Sequence, residues 1–117
     1  MSATTLYRPV GSQELALIEV SGWSAFPPRL PEQPIFYPVT NEAYAVQIAR
    51  DWNACHNDDK RGYVTRFVVE DQFLNAYEKK VVGASEHEEY WIPAEDLGRF
   101  NEAIVGKIEV TAKFETT

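Results

Sequence analysis

The stretch SGWSAFPPRLPEQPIFYPVTNEAYA, from Ser21 to Ala45, carries the strongest local signals for the fold. Four closely spaced prolines, at positions 27, 28, 31 and 34, each remove a backbone donor and fix φ, which predicts an extended loop. IFYPV, from Ile35 to Val39, then predicts a short strand that Pro38 confines to a sheet edge or a strand end. Thr40 or Asn41 is expected to cap a following helix that reaches Trp52.

The pattern continues on both sides of this stretch. Thr4 to Val10 is β-branched and aromatic and predicts a strand, and the next segment predicts a helix that Ser12 caps and Gly22 ends. Downstream, the sequence predicts a loop (53–62), a strand (63–70) and a short helix capped by Asp71. Two brief strands joined by a polar linker follow, then a helix that ends at Gly106 and a last strand that begins at Lys107. In that last strand, alternation predicts one apolar and one wet face, the apolar side chains being Ile108, Val110, Ala112 and Phe114.

This order of elements predicts an α+β fold, with a mixed or antiparallel sheet and about four short helices, in one domain over residues 1–117. A doubly wound nucleotide-binding fold needs near-continuous apolar strands and a glycine-rich first turn, and the sequence has neither.

Composition narrows the classes of partner. The 117 residues are 44% hydrophobic and carry a net charge of −7, so we expect a globular chain without non-specific affinity for nucleic acid or anionic membranes. The start of the sequence lacks the features of a signal peptide, and the apolar runs fall well short of the roughly 20 residues of a membrane span, so we expect a cytoplasmic protein.

The sequence contains few cysteine and histidine residues that could bind a metal ion or act as a nucleophile. Cys55 is the single cysteine, so no internal disulfide can form, and with His56 and His87 it shows no zinc-ligand spacing. We therefore expect no metal cofactor, and we interpret both histidines as solvated surface residues.

Three features could carry chemistry. Arg8 lies on the first strand, where a buried arginine must meet a carboxylate or bind an anion. Arg29 stands at the centre of the proline loop, whose aromatic residues either line a ligand wall or simply fill the core. Glu88 and Glu89 open a late strand on opposite faces, where a carboxylate near aromatic residues can await a cationic partner, or can belong to a solvated acidic loop.

Taken together, these features of the chain resemble the ADP-ribosyltransferase fold: a first strand with YR, a helix, a GW…PP loop, an aromatic strand followed by TNEAYAVQIA, and a late strand headed by glutamate. The resemblance implies that Arg8 anchors NAD and that Tyr37 or Thr40 lines the nicotinamide pocket. It also implies that Glu88 or Glu89 is the catalytic acid that stabilises the ribosyl cation. The proline loop would then wall the NAD cleft with Trp23, Phe26 and Arg29.

Nearly the whole chain also resembles a family of small bacterial proteins labelled "ADP-ribosylation/crystallin J1", through LYRPVG, AFPPRLPEQPIFYPV, IARDW, YVTRF and EYWIPAE. This resemblance specifies a family and carries almost no function.

Three hypotheses follow. The first is an NAD-cleaving enzyme with an unknown acceptor. The second is a non-catalytic module that binds a small ligand or a protein in the same cleft. The third is a structural homodimer that associates through the proline loop or the last strand; otherwise the chain is a monomer. A cleft that holds Arg8 and one of the two glutamates supports the enzyme, whereas the enzyme hypothesis fails if Arg8 instead closes a buried ion pair with an unrelated acid.

Overall fold

The computed structural model describes residues 2–29, 31–53, 61–81 and 88–115. The strands are β1 (Ala3–Val10), β2 (Ile35–Phe36), β3 (Arg61–Glu70), β4 (Lys79–Val81), β5 (Glu88–Tyr90), β6 (Ile92–Pro93) and β7 (Ile104–Glu115). The α-helices are α1 (Ser12–Val20), α2 (Glu42–Ile48), α3 (Asp71–Leu74) and α4 (Leu97–Glu102). A π-helical turn, Ala49–Asn53, continues α2, and a 3-10 turn, Ala94–Asp96, precedes α4.

The centre of the fold is an antiparallel three-stranded sheet in the order β1-β3-β7. The aromatic and β-branched residues of β1 and β3 make these two strands long and fully paired, with Leu6 opposite Phe67 and Arg8 opposite Thr65. The strands predicted for 4–10 and 63–70 are confirmed, and each extends by one or two residues toward its start.

The segment after the proline loop extends this sheet on the β1 side. Val39 and Tyr7 exchange two backbone hydrogen bonds of 2.8 Å, and Val39 also bridges to Glu89. β2 pairs with β6, and Phe36 stands opposite Ile92. This pair and the Val39–Glu89 bridge have one common register, so both belong to a single antiparallel ladder. The sheet therefore runs β4, β5, the 35–40 segment, β1, β3 and β7, and every pairing among the described residues is antiparallel, which confirms an α+β fold.

Two hydrophobic clusters cover opposite faces of the sheet. The larger cluster collects aromatic and aliphatic side chains from both ends of the chain, among them Leu6, Ile18, Phe26, Phe36, Phe67, Phe100 and Ile108. The smaller one lies under α2 and joins Val39, Ala45, Ala49 and Val64, with Tyr7 packed against it. Successive residues of β1 alternate between the two clusters, as the pleat requires.

The last strand corrects one prediction. Val64 pairs with Ala112 and Thr65 with Val110, so Thr111 is an extra residue that reverses the alternation. Ile108 therefore joins the larger cluster, whereas Ala112 and Phe114 pack against the smaller one, and the expected single apolar face was wrong.

Some of the predicted helix ends are confirmed, and others are wrong. The Asn41 side chain accepts from Tyr44 N at 3.2 Å and Gly22 adopts φ +80°, which confirms one cap and one helix end. Gly11, not Ser12, is the N-cap of α1, and the helix expected to reach Gly106 is wrong at its end, because β7 already begins at Ile104. Residues 54–60 of the predicted 53–62 loop lie outside the described residues.

Phe26 fixes the proline loop to the core. Phe26 is 2% exposed, and its ring centroid lies 4.8 Å from that of Phe67, 5.0 Å from Phe36 and 6.4 Å from Phe100. Asn101 of α4 holds the loop backbone from both sides, accepting from Phe26 N at 2.9 Å and donating to Phe26 O at 3.1 Å. The aromatic loop therefore carries a core side chain and is not a mere connection.

Candidate functional site

A cleft of about 410 Å³ opens beside the Tyr7–Val39 pair, where β1 and the 35–40 segment are hydrogen-bonded to each other. Beyond that pair, Arg8 and Pro9 on one strand lie across from Tyr37 on the other. The lining residues come from four separate segments of the chain and are Arg8, Pro9, Tyr37, Val39, Ile48, Glu89 and Trp91.

Strand register explains most of this lining. Val39 stands opposite both Tyr7 and Glu89, and residues directly opposite one another project from the same face of a sheet. Tyr37 and Trp91 follow at a spacing of two and share that face. Their rings meet edge to face, with centroids 5.9 Å apart. The tyrosine, the tryptophan and the glutamate thus form one wall of the cleft.

Glu89 is the buried acid of the cleft, with 9% of its surface exposed. Its carboxylate accepts a hydrogen bond of 2.9 Å from the Trp91 indole and another from the Tyr44 hydroxyl. Burial, followed by the charge and hydrogen bond of Glu89, raises the pKa of Tyr44, so this tyrosine stays protonated and keeps donating. Among the described residues no cation lies within ion-pair distance of Glu89.

Glu88 has a different environment from its neighbour. It accepts a hydrogen bond of 2.9 Å from the Thr40 hydroxyl and lies 3.8 Å from the Lys79 ammonium. Thr40 thus binds Glu88 and does not line the cleft. Of the two glutamates that the sequence left as alternatives, Glu89 is the one at the cleft.

Arg8 lines the cleft and also closes an ion pair. Its Nε donates to Glu14 Oε2 at 2.7 Å and its Nη2 to Glu14 Oε1 at 3.0 Å. The guanidinium carbon lies 4.5 Å from the centroid of the Phe36 ring, on the face of the sheet opposite Glu89. Arg8 therefore meets the condition stated for the enzyme hypothesis, since it lines the same cleft as Glu89, and also the condition stated against it, since it closes an ion pair with Glu14.

Arg29 stands close to the same ring. Its guanidinium carbon is 5.9 Å from the Phe36 centroid, and its Nε is buried without a hydrogen-bond partner among the described residues. Burial, and then the charge of Arg8, lowers the pKa of Arg29, while Glu14 and Tyr37 act in the opposite direction.

Two predicted ligand residues lie elsewhere. Phe26 is enclosed in the larger cluster, and Trp23 lines a separate cavity of about 430 Å³ with Gly22, Ile108 and Val110. Trp23 also has φ +63°, a strained value for a residue with a side chain. The structure therefore brings Arg8, Tyr37 and Glu89 to the cleft, with Arg29 near Arg8, and leaves Trp23 and Phe26 outside it.

The site includes residues that the sequence did not single out. Glu14 follows Arg8 by six residues and lies in the first turn of α1, and this spacing does not by itself predict the ion pair. Tyr44 and Ile48 lie on α2 with the spacing of one helix face, but no local pattern indicates that this face meets Glu89.

Within the described ranges, no group of three or more His, Cys, Asp or Glu residues could hold a metal ion. Cys55, His56 and His87 lie outside those ranges. In the part of the chain that the structure describes, no helix has the length and apolar character needed to cross a membrane.

In comparisons with known proteins, no family model matches this chain, and neither a curated protein nor a solved structure matches it.

Proposed function

We propose that the cleft binds NAD and that Glu89 assists cleavage of its glycosidic bond, in an ADP-ribosyltransferase-like fold. The observation that carries the proposal is the convergence of Arg8, Tyr37 and Glu89 on one cleft. These residues come from three distant segments, and each occupies a position to which the resemblance gives a role: anchor, pocket wall and acid.

The environment of Glu89 supports the chemical role. Its carboxylate is held by two neutral donors and, among the described residues, has no cation as partner. A buried negative charge of this kind can stabilise a positive charge that develops in the transition state, and the low local dielectric strengthens the interaction. In the proposed step the C–N bond breaks, nicotinamide leaves with the bonding electrons, and the ribosyl cation takes a nucleophile. In the simplest case this nucleophile is water, which then loses a proton.

Two aromatic side chains of the cleft wall support binding of the nicotinamide ring. Tyr37 and Trp91 are each partly exposed at the cleft, at 38% and 43%, and their edge-to-face arrangement leaves ring surface open to a planar ligand. The cleft volume lies within the range of roughly 300 to 1,000 Å³ that is usual for small-molecule sites.

The Arg8–Glu14 ion pair favours a second candidate function, a binding module without catalysis. Glu14 occupies Nε and Nη2 of Arg8, so the anchor role depends on the remaining donors of the guanidinium. If Arg8 serves only to join β1 to α1, the cleft can still hold a ligand through Tyr37 and Trp91 without an anionic contact.

Matched variants on the two sides of the ion pair separate a structural role of Arg8 from a ligand role. Arg8→Gln and Glu14→Gln both break the ion pair, but only Arg8→Gln removes the charged guanidinium group. With NAD at about 100 times its dissociation constant, binding adds about 2.7 kcal/mol, a rise in Tm on the order of 10 °C for a domain of this size. We expect this shift in the parent and in Glu14→Gln, and none in Arg8→Gln.

Release of nicotinamide tests the catalytic role. Glu89→Gln keeps an acceptor for the Trp91 indole but removes the charge, so we expect NAD binding to persist and the rate to fall by about 10² to 10³. A parent that binds NAD without releasing nicotinamide supports the second candidate. A parent whose Tm does not respond to NAD overturns the proposal.

A further inference from the structure

The proline loop delivers an arginine to a place where one of its donors is left unsatisfied. Arg29 follows Pro27 and Pro28, and these prolines follow Phe26, which is locked into the core. Because the φ angles of Pro27 and Pro28 are fixed, the backbone before Arg29 has few conformations, and this limits the directions in which the Arg29 side chain can project. The Nε atom is buried and has no hydrogen-bond partner among the described residues.

Charge at this point is unbalanced. Arg8 and Arg29 both approach the Phe36 ring, at 4.5 Å and 5.9 Å from its centroid. Glu14 is the acid of the group, and both of its oxygens accept from Arg8. Arg8 thus occupies both oxygens of this carboxylate, and Arg29 forms no ion pair among the described residues.

A bound oxyanion would balance this excess of positive charge. A buried N–H without an acceptor costs about 1 to 3 kcal/mol, and an arginine keeps its charge under all ordinary conditions. The Nε and Nη2 edge of a guanidinium presents two parallel donors that match the paired oxygens of a phosphoryl or carboxylate group. One oxyanion beside Arg29 would satisfy the free donor and separate the two positive charges.

We propose that Arg29, with Arg8 as the second cation, forms a binding site for a phosphoryl or carboxylate oxyanion on the Phe36 face of the sheet. Glu14 holds the Arg8 guanidinium in place and is not itself a ligand. The site stands on the unsatisfied donor and the charge count, so it does not depend on whether the cleft binds NAD.

The test uses inorganic phosphate and acetate as probes, titrated into the full chain at constant ionic strength with chloride as the balancing anion. Arg29→Gln removes the charge and the donor edge. Arg66→Gln is the matched control, since Arg66 pairs with Glu109 at 3.3 Å and is half exposed on β3. We expect Arg29→Gln to weaken the preferred probe at least tenfold and Arg66→Gln to change its affinity less than twofold. Circular dichroism of each variant verifies the fold, and Arg29→Lys, which keeps the charge without the fork, is expected to bind between the two.

The outcomes separate this inference from the NAD proposal. If phosphate or acetate binds through Arg29 while NAD has no effect on Tm, the anion site stands and the NAD proposal fails. If neither probe binds the parent, or if Arg29→Gln binds them as tightly as the parent, the anion site is refuted whatever NAD does.

Discussion

Truncation of Phe26 is the most informative change, because it asks whether the proline loop belongs to the core. In Phe26→Ala the side chain lost is 2% exposed and lies within ring-contact distance of Phe36, Phe67 and Phe100. Removal of a fully buried phenylalanine costs about 3 to 5 kcal/mol, of which about 0.5 to 1.5 kcal/mol for each aromatic pair reflects ring geometry. We expect a loss of about 4 kcal/mol.

This loss is large against the whole stability of such a domain, which is about 5 to 15 kcal/mol. With an unfolding entropy of about 2.1 cal/mol/K per residue, 1 kcal/mol corresponds to about 4 °C for a chain of this length. Phe26→Ala should therefore lower Tm by about 16 °C in a thermal scan, and urea unfolding should show the same loss with an unchanged slope.

Tyr37→Ala is the matched control. Tyr37 lies at the end of the same segment but is 38% exposed and contacts mainly the Trp91 ring, so we expect it to cost about 1 kcal/mol. If Phe26→Ala lowers Tm by no more than this control does, the loop is not an anchored part of the core and the reasoning is wrong.

Three further changes test other parts of the structure. Asn101→Ala removes both hydrogen bonds to the Phe26 backbone and should cost about 2 kcal/mol in urea unfolding, with about half regained in Asn101→Asp; equal loss in both variants would contradict the two-sided clamp. Burial and a hydrogen bond to Asp96 raise the pKa of Tyr77 to about 12, above its usual 10.0. Tyr77 therefore contributes its full stabilisation of the folded state below pH 10, and this contribution is lost as the pH rises toward 12. Tyr77→Phe should flatten that decline between pH 10 and 12, and an unchanged slope there would refute the reasoning. Arg29→Met, without added oxyanion, should raise stability by about 1 kcal/mol because a buried donor without a partner is removed, and a loss in Tm would contradict its unsatisfied state.

Local patterns predicted the elements well wherever a strand or helix is decided by its own residues. The alternating and β-branched residues of β1 and β3, the Asn41 cap and the left-handed Gly22 all follow from short-range sterics and hydrogen bonding. The four prolines before Ile35 likewise exclude regular hydrogen-bonded structure by themselves.

Errors arose where pairing partners overrode local preference. The helix predicted to reach Gly106 ends earlier because residues from Ile104 pair with Val69 of β3, and a ladder of backbone bonds outweighs a weak helix signal. The extra residue at Thr111 became visible only through the register of β3, since alternation read from one strand assumes that no residue is inserted.

Local sequence patterns predicted an α+β order of elements and a proline loop without helix or strand, and they singled out Arg8 and the two late glutamates as candidate site residues. Tertiary structure alone decided that Glu89 and not Glu88 lines the cleft, that Glu14 takes Arg8 as partner, and that Phe26 belongs to the core. The physical reason is that burial, charge balance and strand register depend on groups far apart in the chain. A residue's own neighbours in sequence fix its backbone preference, but its energetic role depends on what the fold packs against it.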